Sequence, residues 1–205
     1  MNLQKRVVRP IACFAIICGV MLSVLTCNIT KTFASENKTA AILTNEIQLL
    51  QDLPQPNSMT IDPSLDPEEA TAMVQAAQRF YAFWNTGNEA LIPKTIVPTF
   101  IDNTLPIGRP QGPEGLLFAS RNFRKAVPDL QCKIEDLIVV GDKVTARLLF
   151  TGTHEGEFLG KKPTGKPIKF MAIDVLRINA GKIIEDWHLE DNLTLMQQLG
   201  VVAEN

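Results

Sequence analysis

The second half of the chain contains the pattern that most restricts its fold, an alternation of polar and apolar residues with a period of two. Residues 143–154 show it clearly, with a polar set and an apolar set: Lys143, Thr145 and Arg147 against Val144, Ala146, Leu148 and Phe150. Successive side chains of a β-strand point to opposite faces, so this pattern predicts a strand with one buried face. Similar segments predict strands at residues 130–140, 167–178 and 183–191.

Turn sequences join these predicted strands. Gly141-Asp142 separates the first two strands, and Asn179-Ala180-Gly181 separates the last two. Both contain residues that favour tight turns. The connection between them is longer and carries four turn-forming residues: Gly156, Gly160, Pro163 and Gly165. The four strands are therefore predicted to form an antiparallel meander.

Helical patterns precede the strands. Asp66, Pro67 and Glu69 form a start signal for a first helix, which is predicted to end at Gly87. Its apolar residues recur at three-to-four spacing: Met73, Ala76, Ala77, Phe80, Phe83 and Trp84. Core packing is one interpretation of these aromatic residues, and the other is that some of them line a cavity.

Two more helices are predicted before the strands begin. One covers residues 88–97 and is interrupted by Pro93, and the other covers residues 114–127. Helices grouped ahead of an antiparallel meander indicate an α+β fold, with the helices on one face of the sheet.

Residues 1–34 have the pattern of a cleaved export signal. Basic residues precede an uncharged apolar run at residues 11–27, and Thr32 and Ala34 offer small side chains where a signal peptidase reads them. Cleavage after Ala34 would leave an exported protein, either periplasmic or secreted. Two alternatives stay open, an uncleaved membrane anchor at residues 11–27 and lipidation of Cys27. Contact with a membrane is expected only through this segment, and only if it is uncleaved.

The rest of the composition excludes several classes of function. Residues 35–65 are polar and Pro-containing, which predicts a flexible tether before a pocket domain at residues 66–205. Loss of residues 1–34 removes four of the 20 basic residues and none of the 22 acidic ones, leaving a net charge of −6. No nucleic-acid partner is expected from such a chain. Cys132 is then the sole cysteine, so neither an internal disulfide nor a structural metal site is expected.

Asp174 is an acid within an otherwise apolar strand face. The row on that face is Ile168, Phe170, Ala172, Asp174 and Leu176. Burial of a carboxylate is costly unless it is hydrogen-bonded or neutral, so such an acid is a candidate for a raised pKa and for acid–base catalysis. The alternative is a structural anchor that pairs with Arg121, Arg147 or another side chain.

Strand parity sorts the remaining candidates. If the last strand has no bulge, the face of Ile183 also carries Trp187, Leu189 and Asp191. The opposite face, predicted to be solvated, then carries Ile184, Asp186, His188 and Glu190. Asp191 is therefore predicted to be a pocket acid, with the alternative that it caps a helix at residues 192–199. By the same argument His154 is predicted to face the pocket and His188 the surface. Contacts with a ligand are expected from Trp187, Phe170, Phe80, Trp84 and Leu189.

Together these segments resemble the SnoaL-like polyketide cyclases, also called ester cyclases, of the nuclear-transport-factor-like superfamily. The resemblance rests on several short motifs: Ala126-Val127-Pro128-Asp129-Leu130, Gly141-Asp142-Lys143-Val144, Gly152-Thr153-His154-Glu155-Gly156-Glu157-Phe158, Pro163-Thr164-Gly165-Lys166, Gly181-Lys182-Ile183 with Trp187 and Asp191, and Gln198-Leu199-Gly200. It extends over residues 68–200.

The resemblance implies a cone-shaped α+β fold whose curved antiparallel sheet and helices enclose one pocket. Characterised members close a ring in an ester-bearing polyketide by intramolecular aldol condensation, with an Asp as base and without metal or cofactor. Carried onto this chain, the resemblance implies Asp191 as the base and His154 as a polar group that stabilises the enolate. Asp174 remains a rival base. The implied ligand is a hydrophobic small molecule with a carbonyl group.

Other functions and a partner also stay open. The same pocket could serve a secreted binding module that holds an apolar molecule unchanged. Epoxide or ester hydrolysis, which needs a water positioned by an Asp, is a third function within the superfamily. The resemblance also implies a homodimer through the outer face of the sheet, where Ile184 and His188 are predicted to lie.

Overall fold

The computed structural model describes residues 53–203. The predicted export signal at residues 1–34, and the tether up to residue 52, lie outside these described residues. Within residues 53–203, no helix combines the length and the apolar character needed to span a membrane.

Six strands and four α-helices make up the described domain. In chain order they are β1 (Ser58–Ile61), α1 (Pro67–Thr86), a 3₁₀ turn (Glu89–Leu91), α2 (Ile92–Thr95), β2 (Ile96–Asp102), α3 (Pro113–Ala126), β3 (Gln131–Val140), β4 (Lys143–Thr153), β5 (Pro167–Asn179), β6 (Lys182–Glu190) and α4 (Asn192–Gln198). The predicted α+β class is confirmed.

The strands form one sheet in the order β1-β3-β4-β5-β6-β2. The predicted meander from β3 to β6 pairs antiparallel throughout. The complete sheet is mixed, because at its two edges β1 pairs parallel with β3 and β2 pairs parallel with β6.

Both edge strands lie in segments where the sequence shows no alternation. All four residues of β1 are exposed, and the segment was predicted to be part of the tether. The strand β2 overlaps the segment predicted as a helix only at residues 96 and 97, lies otherwise in the stretch after that helix, and contains Pro98. Because proline cannot donate a hydrogen bond to a neighbouring strand, it is tolerated at a sheet edge and masks the strand in the sequence.

Helix α1 begins and ends where the sequence predicts. The Asp66 side chain accepts hydrogen bonds from the backbone N–H groups of Glu68 and Glu69, at 2.9 and 3.1 Å. Gly87 ends the helix in the left-handed conformation, with a φ of 70°. The apolar stripe of α1 is buried: Met73, Ala76, Ala77, Phe80 and Phe83. The helix packs mainly against β3.

A β-bulge in β6 reverses its side-chain alternation. The consecutive residues Arg177 and Ile178 of β5 pair with Glu185 and Ile183, so Ile184 is an extra residue without a partner. The buried residues Ile183 and Asp186 are consequently three positions apart rather than two. Beyond the bulge, Asp186, His188 and Glu190 face the core side of the sheet, and Trp187 and Leu189 face the outer side. This order is the reverse of the predicted one.

Candidate active site

A cavity of about 390 Å³ lies between the inner face of the sheet and the helices α1, α3 and α4. Its apolar lining residues are Trp84, Pro106, Leu116, Ala119, Phe123, Leu130, Phe150, Phe158, Phe170, Ala172, Leu195 and Met196. Its polar lining residues are Arg109, Asp174, Asp186, His188, Glu190 and Asn192. A mainly apolar cavity with a few polar groups is typical of small-molecule sites.

Aromatic rings form much of the apolar wall. Phe150 and Phe170 stack with their centroids 5.1 Å apart and their planes at 9°. Trp84 meets Phe150 edge to face at 6.5 Å, and Phe123 meets Phe158 at 5.7 Å. These rings present flat apolar surfaces, so this end of the cavity suits a planar apolar group of a ligand.

Asp174 lies in the cavity wall on β5 and is 5% exposed. Burial is the main cause that raises the pKa of its carboxyl to about 7, and it outweighs the opposing effect of the positive charge of His188. The nearby hydroxyl of the buried Tyr81 also lowers the pKa of Asp174. This hydroxyl forms no hydrogen bond of good geometry with any of residues 53–203. Near neutral pH, therefore, Asp174 is divided between its neutral and its ionised form.

His188 is held between two carboxylates. Its Nε2 lies 3.1 Å from Asp102 Oδ2, and its Nδ1 lies 2.9 Å from Glu190 Oε1. Burial lowers the pKa of His188, but these hydrogen bonds and the surrounding negative charge outweigh burial and raise it to about 10. His188 is therefore a cation at neutral pH and donates one N–H to each carboxylate.

Arg109 joins this cluster from the segment that follows β2. Its Nη2 forms a salt bridge with Asp102 Oδ2 and lies 3.0 Å from His188 Nε2. Because His188 is protonated, the second contact reflects two donors that converge on one carboxylate oxygen. Burial raises the pKa of Asp102, but the hydrogen bond and charge of His188 outweigh it and lower the pKa to about 2.

Asp186 lies beside the cluster and is 2% exposed. Its Oδ1 is buried without a hydrogen-bond partner among residues 53–203. An unpaired buried polar atom costs about 1–3 kcal/mol of folding free energy. Burial, followed by the negative charge of Asp174, raises the pKa of the Asp186 carboxyl well above its usual range. These effects favour the protonated acid.

Three of the predicted site residues line the cavity. They are Asp174, Phe170 and Trp84. Phe80 is fully buried behind Trp84, with the two ring centroids 6.4 Å apart, so the core interpretation holds for Phe80 and the cavity interpretation for Trp84. Asp174 does not pair with either of the two arginines named for a structural anchor, because Arg121 pairs with Glu89 and Arg147 with Asp136.

The predicted location of Asp191 in the pocket is wrong. Asp191 is exposed and does not line the cavity. Its carboxylate caps α4, accepting hydrogen bonds from the Thr194 N–H at 3.1 Å and the Thr194 hydroxyl at 2.7 Å. The alternative interpretation, a helix cap, is therefore confirmed.

Trp187 and Leu189 also lie outside the cavity. The Trp187 ring contacts the Arg177 guanidinium, whose central carbon is 5.4 Å from the ring centroid, and Leu189 is 74% exposed. The bulge at Ile184 is the cause, since it turns these side chains to the outer face. For the same reason the prediction that His188 faces the surface is wrong.

His154 is buried, as strand parity predicts, but it does not line the cavity. Its Nδ1 lies 3.1 Å from the Thr164 hydroxyl, and its Nε2 has no partner within the described part of the chain. His154 therefore packs at the base of the segment that follows β4 and does not reach the position expected of an enolate-stabilising group.

Sequence reasoning missed the charged cluster of Asp102, Arg109, His188 and Glu190. Asp102 ends an edge strand without alternation, and Arg109 belongs to a loop that folds back over the sheet. An irregular spacing of apolar residues in β6, with Ile183 and Ile184 adjacent, is the local signal that could have indicated the bulge. Among residues 53–203, no group of three or more His, Cys, Asp or Glu side chains is arranged to hold a metal ion.

The fold and the cavity define a class of protein, an α+β domain in which an apolar cavity has buried acids at one end. The model of the family of SnoaL-like polyketide cyclases matches residues 74–199. The chain belongs to the SnoaL-like polyketide cyclase family, which confirms the resemblance that its motifs carry.

Solved structures agree with this assignment. A crystal structure named “Putative polyketide cyclase” from Bacillus cereus ATCC 10987 is 64% identical, covering 75% of this chain and 97% of that chain with a TM-score of 0.70. TsrD from Streptomyces laurentii is 29% identical, covering 68% and 100% of the two chains with a TM-score of 0.60. IdmH from Streptomyces antibioticus, named “a putative polyketide cyclase”, is 29% identical, covering 62% and 97% with a TM-score of 0.57. No curated protein matches the sequence.

Proposed function

We propose that this protein is a cyclase-type enzyme that needs no cofactor and uses Asp174 as its general base. One observation carries the proposal: a carboxyl group with a pKa of about 7 lies in the wall of an apolar cavity. A base whose pKa is near the working pH is substantially ionised and still accepts a proton readily. The substrate class is a hydrophobic carbonyl compound, with an aromatic or planar part and an ester or ketone group.

The proposed reaction begins at a carbon next to a carbonyl group. The Asp174 carboxylate takes a proton from this carbon, and the C–H electron pair forms an enolate. The enolate carbon attacks a second carbonyl of the same molecule, which forms a C–C bond and closes a ring. The resulting alkoxide takes the proton back from Asp174. All atoms are retained, so the ring closure is an isomerisation.

The charged end of the cavity supports this chemistry. His188 is directly opposite Asp174 in the pairing of β5 and β6, so a positive charge lies next to the base. Asp102 and Glu190 each accept a hydrogen bond from the imidazolium and hold its ring in place. A preorganised charge beside a developing enolate stabilises the transition state without a reorganisation cost.

Proton abstraction can be measured without the natural substrate. The probe is 2-tetralone, a bicyclic aromatic ketone, and proton NMR in D₂O follows the loss of its α-proton signals. The protein is expected to accelerate this exchange, with a rate that rises as the pH increases through about 7, because Asp174 must be ionised. Asp174→Asn is expected to lower the rate by about 10²–10⁴-fold.

Asp191→Asn is the matched control for this experiment. It makes the same change at an exposed carboxyl outside the cavity, where Asn also serves as a helix cap. This control is expected to exchange 2-tetralone at the wild-type rate. Equal rates in Asp174→Asn and in the wild type would show that Asp174 is not the base.

A second candidate function is a binding module that holds an apolar molecule without changing it. The stacked Phe150 and Phe170 rings favour this function, since they offer an apolar surface that needs no chemistry. Mass spectrometry of 2-tetralone and of any co-purifying molecule would discriminate. If 2-tetralone and the co-purifying molecule are both recovered without chemical change or deuterium exchange after long incubation, the binding module is supported. If the amount of product exceeds the amount of protein, the binding module is excluded.

We also propose that the protein is exported, with residues 1–34 removed. The proposal is supported by the basic residues that precede the uncharged run at residues 11–27. Mass spectrometry of the mature protein is expected to give Ser35 as the first residue. A mature chain that starts at Met1 would contradict cleavage and support an anchor.

A further inference from the structure

We propose that Asp186 is a second catalytic residue, a neutral carboxylic acid that donates a hydrogen bond to the substrate carbonyl oxygen while Asp174 takes the neighbouring proton. This role rests on the proposed function, because it belongs to the same reaction. Three observations support it: the position of Asp186 relative to Asp174, its unpaired oxygen, and its surroundings in the cavity wall.

The sheet places the two acids on the same face at adjacent positions. Asp174 is opposite His188, and Asp186 is opposite Leu176, so the two acids are diagonal neighbours on β5 and β6. Diagonal pairs in an antiparallel sheet are about 7–8 Å apart, and their side chains reach into the same space. Both side chains line the cavity. A carbonyl group bound between them can present its oxygen to one acid and its α-carbon to the other.

The Asp186 carboxyl has one oxygen that no described residue contacts by a hydrogen bond. Its Oδ1 is buried and has no hydrogen-bond partner among residues 53–203. The two cations nearby are engaged elsewhere, since Arg109 pairs with Asp102, and His188 donates to Asp102 and Glu190. A buried polar atom is normally satisfied. The Asp186 carboxyl as a whole lines the cavity, so its O–H can donate to a carbonyl oxygen of a ligand there.

The surroundings of Asp186 favour its neutral form. Burial and the negative charges of Asp174, Asp102 and Glu190 raise the pKa of the Asp186 carboxyl, and the charge of His188 opposes them. The protonated carboxyl carries an O–H donor, which an ionised carboxylate lacks. As the enolate forms, its oxygen becomes negatively charged and the O–H···O hydrogen bond becomes stronger. The proton stays on Asp186, and the proton from carbon resides on Asp174.

The exchange of 2-tetralone in D₂O also tests this role. Asp186→Ala removes the donor and is expected to lower kcat/KM for exchange by about 10²–10³-fold. Asp186→Asn keeps an N–H donor of similar shape, so it is expected to retain more of the rate than Asp186→Ala. Asp191→Asn again serves as the control with unchanged activity.

A binding measurement separates catalysis from structural damage. The probe is 2-naphthol, a stable planar analogue of the enol of 2-tetralone, titrated by calorimetry against the wild type and Asp186→Ala. If Asp186 stabilises the enolate, Asp186→Ala weakens the binding of 2-naphthol more than that of 2-tetralone. In a folded Asp186→Ala variant, equal weakening of the binding of both ligands would overturn the role.

The outcomes distinguish this inference from the proposed function. Loss of exchange in Asp174→Asn, with wild-type exchange in Asp186→Ala, overturns the role of Asp186 and leaves the base assignment intact. Wild-type exchange in Asp174→Asn overturns the proposed function itself.

If Asp186→Ala does not fold, infrared spectra of the wild type and Asp186→Asn at neutral pH provide the test. The variant is expected to lose a C=O band of a protonated carboxyl, and identical spectra would overturn the inference.

Discussion

Three aspartates in one small region differ in protonation because each has different contacts. Asp102 accepts hydrogen bonds from His188 and Arg109 and remains ionised. Asp174 is buried with few polar contacts, which brings its pKa to about 7. Asp186 has an unpaired buried oxygen, and its pKa is raised well above the usual range. At this scale, contacts rather than residue type set the protonation state of each carboxyl.

The pKa of His188 can be tested through its neighbour Asp102. Asp102→Asn removes one charged hydrogen-bond acceptor, so the pKa of His188 is expected to fall below about 10. NMR titration of the imidazole measures this value, and His154, the other histidine, serves as an internal reference that does not contact Asp102. An unchanged pKa of His188 in the variant would contradict the pairing.

The raised pKa of His188 also makes the stability of the protein depend on pH. The folded pKa of His188 lies above the usual 6.5, so proton binding favours the folded state. This contribution is complete below pH 6.5 and is lost as the pH rises through about 10. The free energy of unfolding is therefore expected to decrease over this interval, and to decrease less in Asp102→Asn.

At the scale of elements, the segment between β4 and β5 is held against the end of α3. The backbone N–H groups of Glu155 and Gly156 both donate to the carbonyl of Ala126, at 2.9 and 3.0 Å. This close approach requires glycine, because a Cβ at position 156 would lie 1.9 Å from the Lys125 carbonyl oxygen. The segment carries Phe158 to the cavity wall.

Gly156→Ala is therefore expected to displace this segment from α3. The clash with backbone cannot be relieved by a side-chain rotation, so we expect a loss of about 1–3 kcal/mol in the free energy of unfolding. Urea denaturation measures the loss. Glu155→Ala, at the adjacent exposed position, is the control and is expected to change stability by less than about 0.5 kcal/mol. Equal stability of the two variants would contradict the close packing.

On the scale of the whole molecule, the outer face of the sheet exposes apolar side chains. Ile173 and Leu189 are directly paired on β5 and β6 and are 38% and 74% exposed. Dimerisation through this face stays a prediction, and the bulge changes which residues would carry it. Leu189 and Trp187 replace His188, which faces the cavity, and Ile184 lies at the bulge itself.

Light scattering after size-exclusion chromatography tests the dimer. The wild type is expected at twice the chain mass, and Leu189→Lys is expected at the chain mass, because a charge at a paired apolar contact disfavours association. Leu193→Lys is the control, since it places the same charge at another exposed leucine, outside the strands. A wild-type protein at the chain mass would exclude a dimer.

Much of the fold follows from local patterns, and the site follows only in part. Helix α1 and strands β3 to β6 each carry their own periodicity, so the sequence predicts them. Strands β1 and β2 exist through distant pairing, such as Ser58 with Asp136 and Ile96 with Ile183, which no local pattern reveals. Asp174 could be found because an acid stands out in an apolar row. The charged cluster depends on a loop that folds back and on the bulge.

The bulge at Ile184 implies that one extra residue in the chain determines which alternate side chains of β6 face the cavity. An alignment that shifts a gap by one position in this strand would exchange Asp186, His188 and Glu190 for Trp187 and Leu189 as the presumed site. Functional residues transferred between relatives by counting positions are therefore correct only where the relatives share this bulge. The pairing of Arg177 with Glu185 and of Ile178 with Ile183 provides the structural criterion for such a transfer.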